Sequence, residues 1–237
     1  MMISIGTWNL NHWSNTAQQS ERIWRLLEEK PFADIMLLQE CLPPEDIESD
    51  RLVFSRLEGR GEWGTAVFSK NHPVSEIKVR QTHPGTLALG SIDFGDDVSI
   101  TAISVYGMLE REDYPDEWAS TTMHRIVSDI TPLIHYGRKN TMFAVGGDYN
   151  ISTQWDDGRW PSHKLVFDRL EDLGLVNATL EKHGKHLPTF SWDNPVKQND
   201  YIHLSGTRVK IIDCDIIRSE DLKGMSDHIP LIASIEI

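Results

Sequence analysis

A chain of 237 residues, 39% hydrophobic and 25% charged, fits one large α/β domain with a substantial core rather than two small ones. Thirty-six Asp and Glu against 23 Lys and Arg leave a formal net charge of −13, which argues against a surface that grips a nucleic-acid backbone through many ion pairs, although a bound cation and a few local bases can suffice. The two cysteines, Cys41 and Cys214, are too few and too far apart for a disulfide framework or a zinc motif and read as ordinary buried thiols.

No linker, charge block or repeat divides the chain, so residues 1–237 are expected to form one domain. Met1-Met2-Ile3-Ser4-Ile5 lacks a basic region followed by an apolar stretch, and no run approaches the length of a membrane span. The expectation is a cytoplasmic protein without membrane insertion.

The first strand is expected to end in Thr7-Trp8-Asn9. Residues 16–30 predict a helix with Ile23, Leu26 and Leu27 on one face, stopped by Pro31. Asp34-Ile35-Met36-Leu37-Leu38-Gln39 is a buried strand pattern, and Glu40 is the charge at its end. A carboxylate there must reach solvent, a partner or a metal, because unpaired burial costs several kcal/mol. Gly59-Arg60-Gly61-Glu62-Trp63-Gly64 matches a dinucleotide fingerprint but leads into the strand 65–69 instead of a helix, so a hairpin approach is the better account.

Residues 87–93 and 98–106 read as strands, the second ending at Tyr106. Met123, Ile126, Val127, Ile130 and Leu133 repeat at helical spacing, and Pro132 should end or bend that helix. The apolar run Thr141-Met142-Phe143-Ala144-Val145 leads into Gly146-Gly147-Asp148-Tyr149-Asn150, with Asp148 and Asn150 leaving the strand on the same side at period-two spacing. Residues 161–173 predict a third helix, halted by Gly174. His183-Gly184-Lys185-His186 reads as a loop with no helix to align its rings, which makes a zinc site there improbable. Asp200 opens another apolar segment, and Ser226-Asp227-His228-Ile229-Pro230 is the loop entering the last strand, 231–237. About ten strand-like segments in all suggest two packed sheets with helices outside.

Carboxylates, carboxamides and one imidazole therefore collect at strand ends. A phosphodiester is an anion that repels nucleophiles, so its hydrolysis needs a hard cation, a positioned base and donors around the phosphoryl oxygens. Glu40, Asp148, Asn150 and His228 supply these, and oxygen ligands with few imidazoles favour Mg2+ or Mn2+ over zinc. Trp155, Trp160 and Trp192 are candidates to stack on a base or sugar, or else pad the core. Arg51, Arg56, Arg60, Lys70, Lys78 and Arg80 either form a local basic strip or, by default, an ordinary solvated surface.

Taken in order, Thr7-Trp8-Asn9, Leu38-Gln39-Glu40, Gly64-Thr65-Ala66-Val67-Phe68-Ser69, Gly147-Asp148-Tyr149-Asn150, Asp200-Tyr201-Ile202 and Ser226-Asp227-His228 resemble the endonuclease/exonuclease/phosphatase superfamily, the DNase I-like hydrolases. The resemblance covers nearly the whole chain. It implies an α/β fold, a four-layer α/β/β/α sandwich of two packed mixed sheets flanked by helices. It also implies Glu40 as principal metal ligand with Asn9 and Asp227 close to the ion, and Asp148 as the residue that orients or deprotonates the water. Asn150 would hold the phosphate, His228 would contact it, Asp200 would orient His228, and Tyr106 would lie near the phosphate.

The chain departs from the abasic-site endonucleases at Asn11, where they tend to carry Asp, and at Gln198-Asn199, where Arg two positions before the Asp is frequent. The expected function is thus a divalent-metal-dependent phosphoester hydrolase, foremost a nuclease acting on DNA or RNA. Alternatives are an enzyme for a small or lipid phosphoester, or a binding protein that keeps the fold without turnover. The intact residue set disfavours the last, and the Asp-x-His and Gly-Asn-His motifs of two-metal phosphatases are not present.

Overall fold

The computed structural model describes residues 1–29, 32–47, 49–59, 61–108, 118–137, 141–156, 158–159, 161–194, 197–205 and 209–237. In chain order its first elements are β1 (Met2–Asn9), α1 (Ala17–Glu29), β2 (Ile35–Cys41), β3 (Leu52–Arg56), β4 (Gly64–Ser69), β5 (Val74–Glu76), β6 (Leu87–Gly95) and β7 (Val98–Tyr106). There follow α2 (Trp118–Tyr136), β8 (Thr141–Asp148), α3 (Ser162–Asp172), β9 (Leu175–Asn177), α4 (Ala178–His183), β10 (Asp200–Ser205), β11 (Lys210–Ile216) and β12 (Leu231–Glu236). The strands form two six-stranded sheets, one in the order β11-β12-β1-β2-β4-β3 and the other β5-β6-β7-β8-β10-β9. Both are mixed: β1 runs parallel to β2 and β7 parallel to β8, beside antiparallel neighbours.

Alternation along each strand divides its side chains between two environments. Ile3 and Ile5 of β1, Ile35 and Leu37 of β2, Ala102 of β7, Ala144 of β8 and Ile202 of β10 meet between the sheets. The opposite face of the first sheet, with Trp8, Met36, Leu38 and Phe68, packs on Ile23, Trp24 and Leu27 of α1. The opposite face of the second, with Leu89, Ile103, Val105 and Val145, packs on Met123, Ile126, Val127 and Ile130 of α2 and on Val166 and Leu170 of α3. This is the expected four-layer sandwich.

Two local expectations change. Pro132 does not end α2, which continues to Tyr136. Pro132 and Ser128, whose carbonyl loses its partner, are both exposed, so water can take the missing hydrogen bond while the buried stripe runs on. His183 closes a short helix, α4, capped by left-handed Gly184, rather than lying in a loop. Its Nε2 meets the Cys214 carbonyl at 2.6 Å, whereas His186 bonds Thr153 and Gln198, so the two rings serve different partners. Residues 30, 31, 60 and 160, which carried the helix stop, one base of the basic strip and one tryptophan, lie outside the described residues.

The fingerprint-like glycines lie at the β3–β4 hairpin, where Gly64 opens β4 opposite Arg56 and Leu57 N donates to Trp63 O at 3.0 Å. Cys41 and Cys214 are buried free thiols. Arg51 donates to the Lys70 carbonyl at 2.7 Å and lies over Phe68, and Lys78 sits 3.7 Å from Glu76. These local partners fit an ordinary surface.

Gly147, at φ 154, is where β8 presses on β7: a Cβ there would lie 1.8 Å from the Val105 carbonyl oxygen. Gly147→Ala should therefore lower unfolding free energy by about 3 kcal/mol, by forcing apart backbones that no rotamer change can relieve. Urea denaturation reads this directly, and a loss under about 0.5 kcal/mol, the scale of an ordinary surface substitution, would contradict it.

Candidate active site

The inward-facing side chains at one end of both sheets converge. Asn9 continues the inner parity of Ile3, Ile5 and Thr7 on β1, and Asp148 that of Met142 and Ala144 on β8. Tyr106 ends β7 and Asp200 opens β10, where it pairs with Asp148 across the ladder.

Glu40 does not follow the alternation. Met36 and Leu38 face α1, so strict period two would turn Glu40 toward the helix. Its φ of 45 and the register shift between Leu38 and Cys41 rotate it instead to the inter-sheet side, a β-bulge that re-aims one side chain. A non-glycine residue in this conformation costs about 1 kcal/mol or more, and the carboxylate it places is 7% exposed.

Asn9 ties the two sheets together at the site. Its Nδ2 donates to Glu40 Oε1 at 3.0 Å and to Asp148 Oδ2 at 2.9 Å, while its Oδ1 accepts from Asn11 N at 2.9 Å. Below it lies a polar floor absent from the sequence reading. Thr7 Oγ1 donates to Gln39 Oε1 at 3.3 Å, Gln39 Nε2 to Ser104 Oγ at 2.9 Å, and Ser104 Oγ to the Leu38 carbonyl at 2.9 Å. Gln39, a polar residue inside an otherwise apolar buried run, was the available signal.

Asn150 lies outside β8, in a left-handed conformation with φ 50. It meets Asp148 through a tight turn, not through period-two spacing. Asn150 N donates to Asp148 Oδ1 and Asn150 Nδ2 to Asp148 Oδ2, both at 3.0 Å.

His228 is delivered by the loop before β12 and fixed on three sides. Its backbone N donates to Ser226 Oγ, which donates to the Asn9 carbonyl. Its carbonyl accepts from Trp8 Nε1 at 3.1 Å and Trp192 Nε1 at 3.2 Å, so Trp192 acts as a clamp. Its Nδ1 lies 2.9 Å from Asp200 Oδ2, and its Nε2 lies 3.8 Å from Asp148 Oδ2. Asp227 is exposed, its backbone carbonyl accepting from Ser191 N, and its charge is close enough to act on Glu40 and His228. A cleft of about 530 Å3, lined by Asn11, Phe190, Trp192, Lys223 and Asp227 among others, opens beside this group.

Burial dominates the electrostatics. It pushes Asp148 up to about 7 against the pull of His228. It raises Glu40 as well, opposed by hydrogen bonds from Asn9 and Tyr106. Burial alone would lower His228, but the Asp200 and Asp148 carboxylates outweigh it and carry the imidazole to about 10. Both carboxylates favour the protonated ring. Ligand atoms of Asp148, Asp200 and His228 lie within 4.8 Å of one another, a grouping that can hold either a proton or a metal ion. Among the described residues no Lys or Arg pairs with Glu40, Asp148, Asp200 or Asp227, and Asp200 Oδ1 is buried without a partner. Buried carboxylates so close together, with one imidazolium among them, call for a further positive charge.

The sequence matches the Endonuclease/Exonuclease/phosphatase family over residues 6–228. No curated protein matches it significantly. Among solved structures, the 3′ phosphatase NExo from Neisseria bound to product DNA hairpin is 17% identical with a TM-score of 0.70, over 99% of this chain and 100% of that one. The AP endonuclease LMAP from Leishmania major is 16% identical with a TM-score of 0.70, over 100% and 88%. D. rerio TDP2 complexed with single strand DNA product is 13% identical with a TM-score of 0.65, over 100% and 99%. At these identities the likeness is one of fold.

Proposed function

Because the chain belongs to the endonuclease/exonuclease/phosphatase family, we propose that it is a divalent-metal-dependent phosphodiester hydrolase, and that its substrate is a nucleic acid. The observation that carries the reading is the Asp200–His228–Asp148 line: a buried imidazolium held at 2.9 Å by one carboxylate, with its other nitrogen 3.8 Å from a second. A carboxylate poised near neutrality beside a fixed cationic donor is what proton transfer and oxyanion stabilisation at phosphorus require. The NExo and TDP2 structures, both holding DNA products, support the choice of substrate.

Glu40 is the residue to hold the cation, with Asn9 and Asp227 nearby; an all-oxygen donor set suits Mg2+ or Mn2+. Bound there, the ion would neutralise phosphate charge and make the attacking water more acidic. Asp148 accepts the water's proton, its carboxylate aimed by Asn9 and Asn150. His228, oriented by Asp200, donates to a phosphoryl oxygen. Asn150 has a second amide N–H for another oxygen, and the Tyr106 hydroxyl, bonded to Glu40, lies on the same side.

The decisive experiment is a panel of plasmid, single-stranded DNA, RNA, bis(4-nitrophenyl) phosphate, sphingomyelin and inositol phosphates, each with Mg2+, Mn2+ or chelator. Metal-dependent cleavage of a nucleic acid is expected. Turnover of the lipid or inositol phosphate alone would replace the nuclease reading with the small-phosphoester one.

The rate should follow a bell in pH. It rises as Asp148 loses its proton, at or below about 7 because a cation at Glu40 lowers that limb. It falls as His228 loses its proton near 10. Asp200→Asn removes a carboxylate that holds the imidazolium and should move the alkaline limb to lower pH. The matching stability contribution of His228 is complete below its ordinary value of 6.5 and is lost as pH rises through about 10. An alkaline limb that stays put in Asp200→Asn would remove His228 from the proton inventory.

A further inference from the structure

An aromatic and cationic strip leads away from His228. Phe190, 39% exposed, holds its ring 5.1 Å from the His228 ring and pairs by backbone bridges with both His228 and Lys197. The Lys197 ammonium sits 4.6 Å from the centroid of the Trp155 ring, and Trp155 is 37% exposed. Trp155 follows Asn150 closely in the chain, and the Phe190–Lys197 bridge links it to His228.

The Trp155 position is built, not loose. Trp155 N donates to the Ser152 carbonyl at 2.9 Å, and Ser152 N donates to His163 Nδ1 at 3.1 Å. Thr153 Oγ1 bonds His186 Nε2 at 3.2 Å, and His186 Nδ1 bonds Gln198 Oε1 at 3.3 Å, which ties this turn to the segment bearing Lys197. The His163 ring meets Trp155 edge-on at 5.8 Å. The surrounding polar groups are thus partnered while the Trp155 ring, beneath the Lys197 ammonium, stays 37% exposed, an arrangement that forgoes part of the free energy of burying the indole.

We propose that Trp155 and Lys197 bind one unpaired nucleotide beside the scissile phosphate, so that the substrate is a single strand or a strand end and not the interior of a duplex. The proposal rests on the nucleic-acid reading above and narrows it. A base within a duplex already has both faces stacked, so an exposed indole can receive only an unpaired or terminal base. The ammonium over the ring is placed for the adjoining phosphate. In a chain of net charge −13, stacking supplies contact that ion pairs cannot, and it does so without sequence preference.

The test uses the full chain carrying Asp148→Asn, which is expected to bind without cleaving, with labelled single-stranded DNA, single-stranded RNA and a relaxed, covalently closed circular DNA duplex at fixed Mg2+. Trp155→Ala should weaken binding of at least one single strand by roughly 10-fold, Trp155→Phe should recover most of that loss, and the closed duplex should change far less. Lys197→Ala should reduce the salt dependence on the single strand by roughly 0.7 on a log–log scale. Thermal melting of each variant checks that it is folded. Single-strand affinity unaltered in Trp155→Ala, or equal losses on the single strand and the closed duplex, would overturn the proposal. If the parent binds no nucleic acid while the wild type hydrolyses bis(4-nitrophenyl) phosphate, the nucleotide position is overturned and the hydrolase stands. If Trp155-dependent binding is seen without any phosphoester turnover, the position stands and the hydrolase does not.

Discussion

Asp148→Asn and His228→Ala are each expected to lower turnover by on the order of 10²-fold or more, and the double variant to lose far less than the product of the two. In the proposed mechanism both groups act on one transition state. Their atoms lie 3.8 Å apart, and each sets the other's charge. Once the base is gone, an imidazolium poised over the phosphate has less charge development to answer, so the second loss is partly spent already. The substitutions differ in what they do to the fold. Asn at position 148 can still accept from Asn9 and Asn150, whereas removing the His228 ring leaves Asp200 buried at 0% exposure with no partner for either oxygen. Such an orphaned carboxylate costs about 3–5 kcal/mol. Asp200→Asn in the His228→Ala background removes the charge, so the rate loss should persist while the melting temperature recovers. Strictly multiplicative losses, or a rate that recovers together with stability, would mean that the two residues do not share a transition state.

Where side-chain parity and strand ends decided the outcome, the residues could be read from the chain. Asn9, Asp148 and Tyr106 end their strands and Asp200 opens one, so knowing the strand gives the face by period two. His228 was legible for a related reason: a Pro-bearing loop directly before an alternating strand can only deliver its side chain to that strand's end. Glu40 was found by its charge and not by its geometry. Alternation sends it toward α1, and only the bulge between Leu38 and Cys41 brings it to Asn9. No local pattern announces a bulge made by a residue other than glycine. The same limit hid the clamping role of Trp192, read either as a stacking ring or as padding of the core: it packs on the first sheet's outer core and is also engaged through its indole N–H at the His228 carbonyl. It also hid α4, whose six residues are too few for helical periodicity to show and which is held by capping and by Cys214.

Glu40→Gln should separate the cation from the fold. The side chain is nearly isosteric, its carboxamide oxygen can still accept from Asn9, and the bulge is a backbone feature that the change leaves alone. Burial raises the Glu40 pKa, so above its ordinary range the ionised carboxylate works against the folded state. Removing that charge should leave the metal-free protein as stable as the wild type at neutral pH, or slightly more so. In the wild type, Mg2+ or Mn2+ should raise the melting temperature, because a ligand that binds only the folded chain stabilises it by mass action. In Glu40→Gln that rise should vanish or require at least roughly 10-fold more metal, since one hard anionic donor has become a neutral one. Turnover at fixed metal should fall with it. Melting curves across a metal series read the binding without any assay of activity. If Glu40→Gln keeps both the metal-induced rise and its midpoint, the cation lies elsewhere among these carboxylates, and Asp148 and Asp227 become the residues to change next.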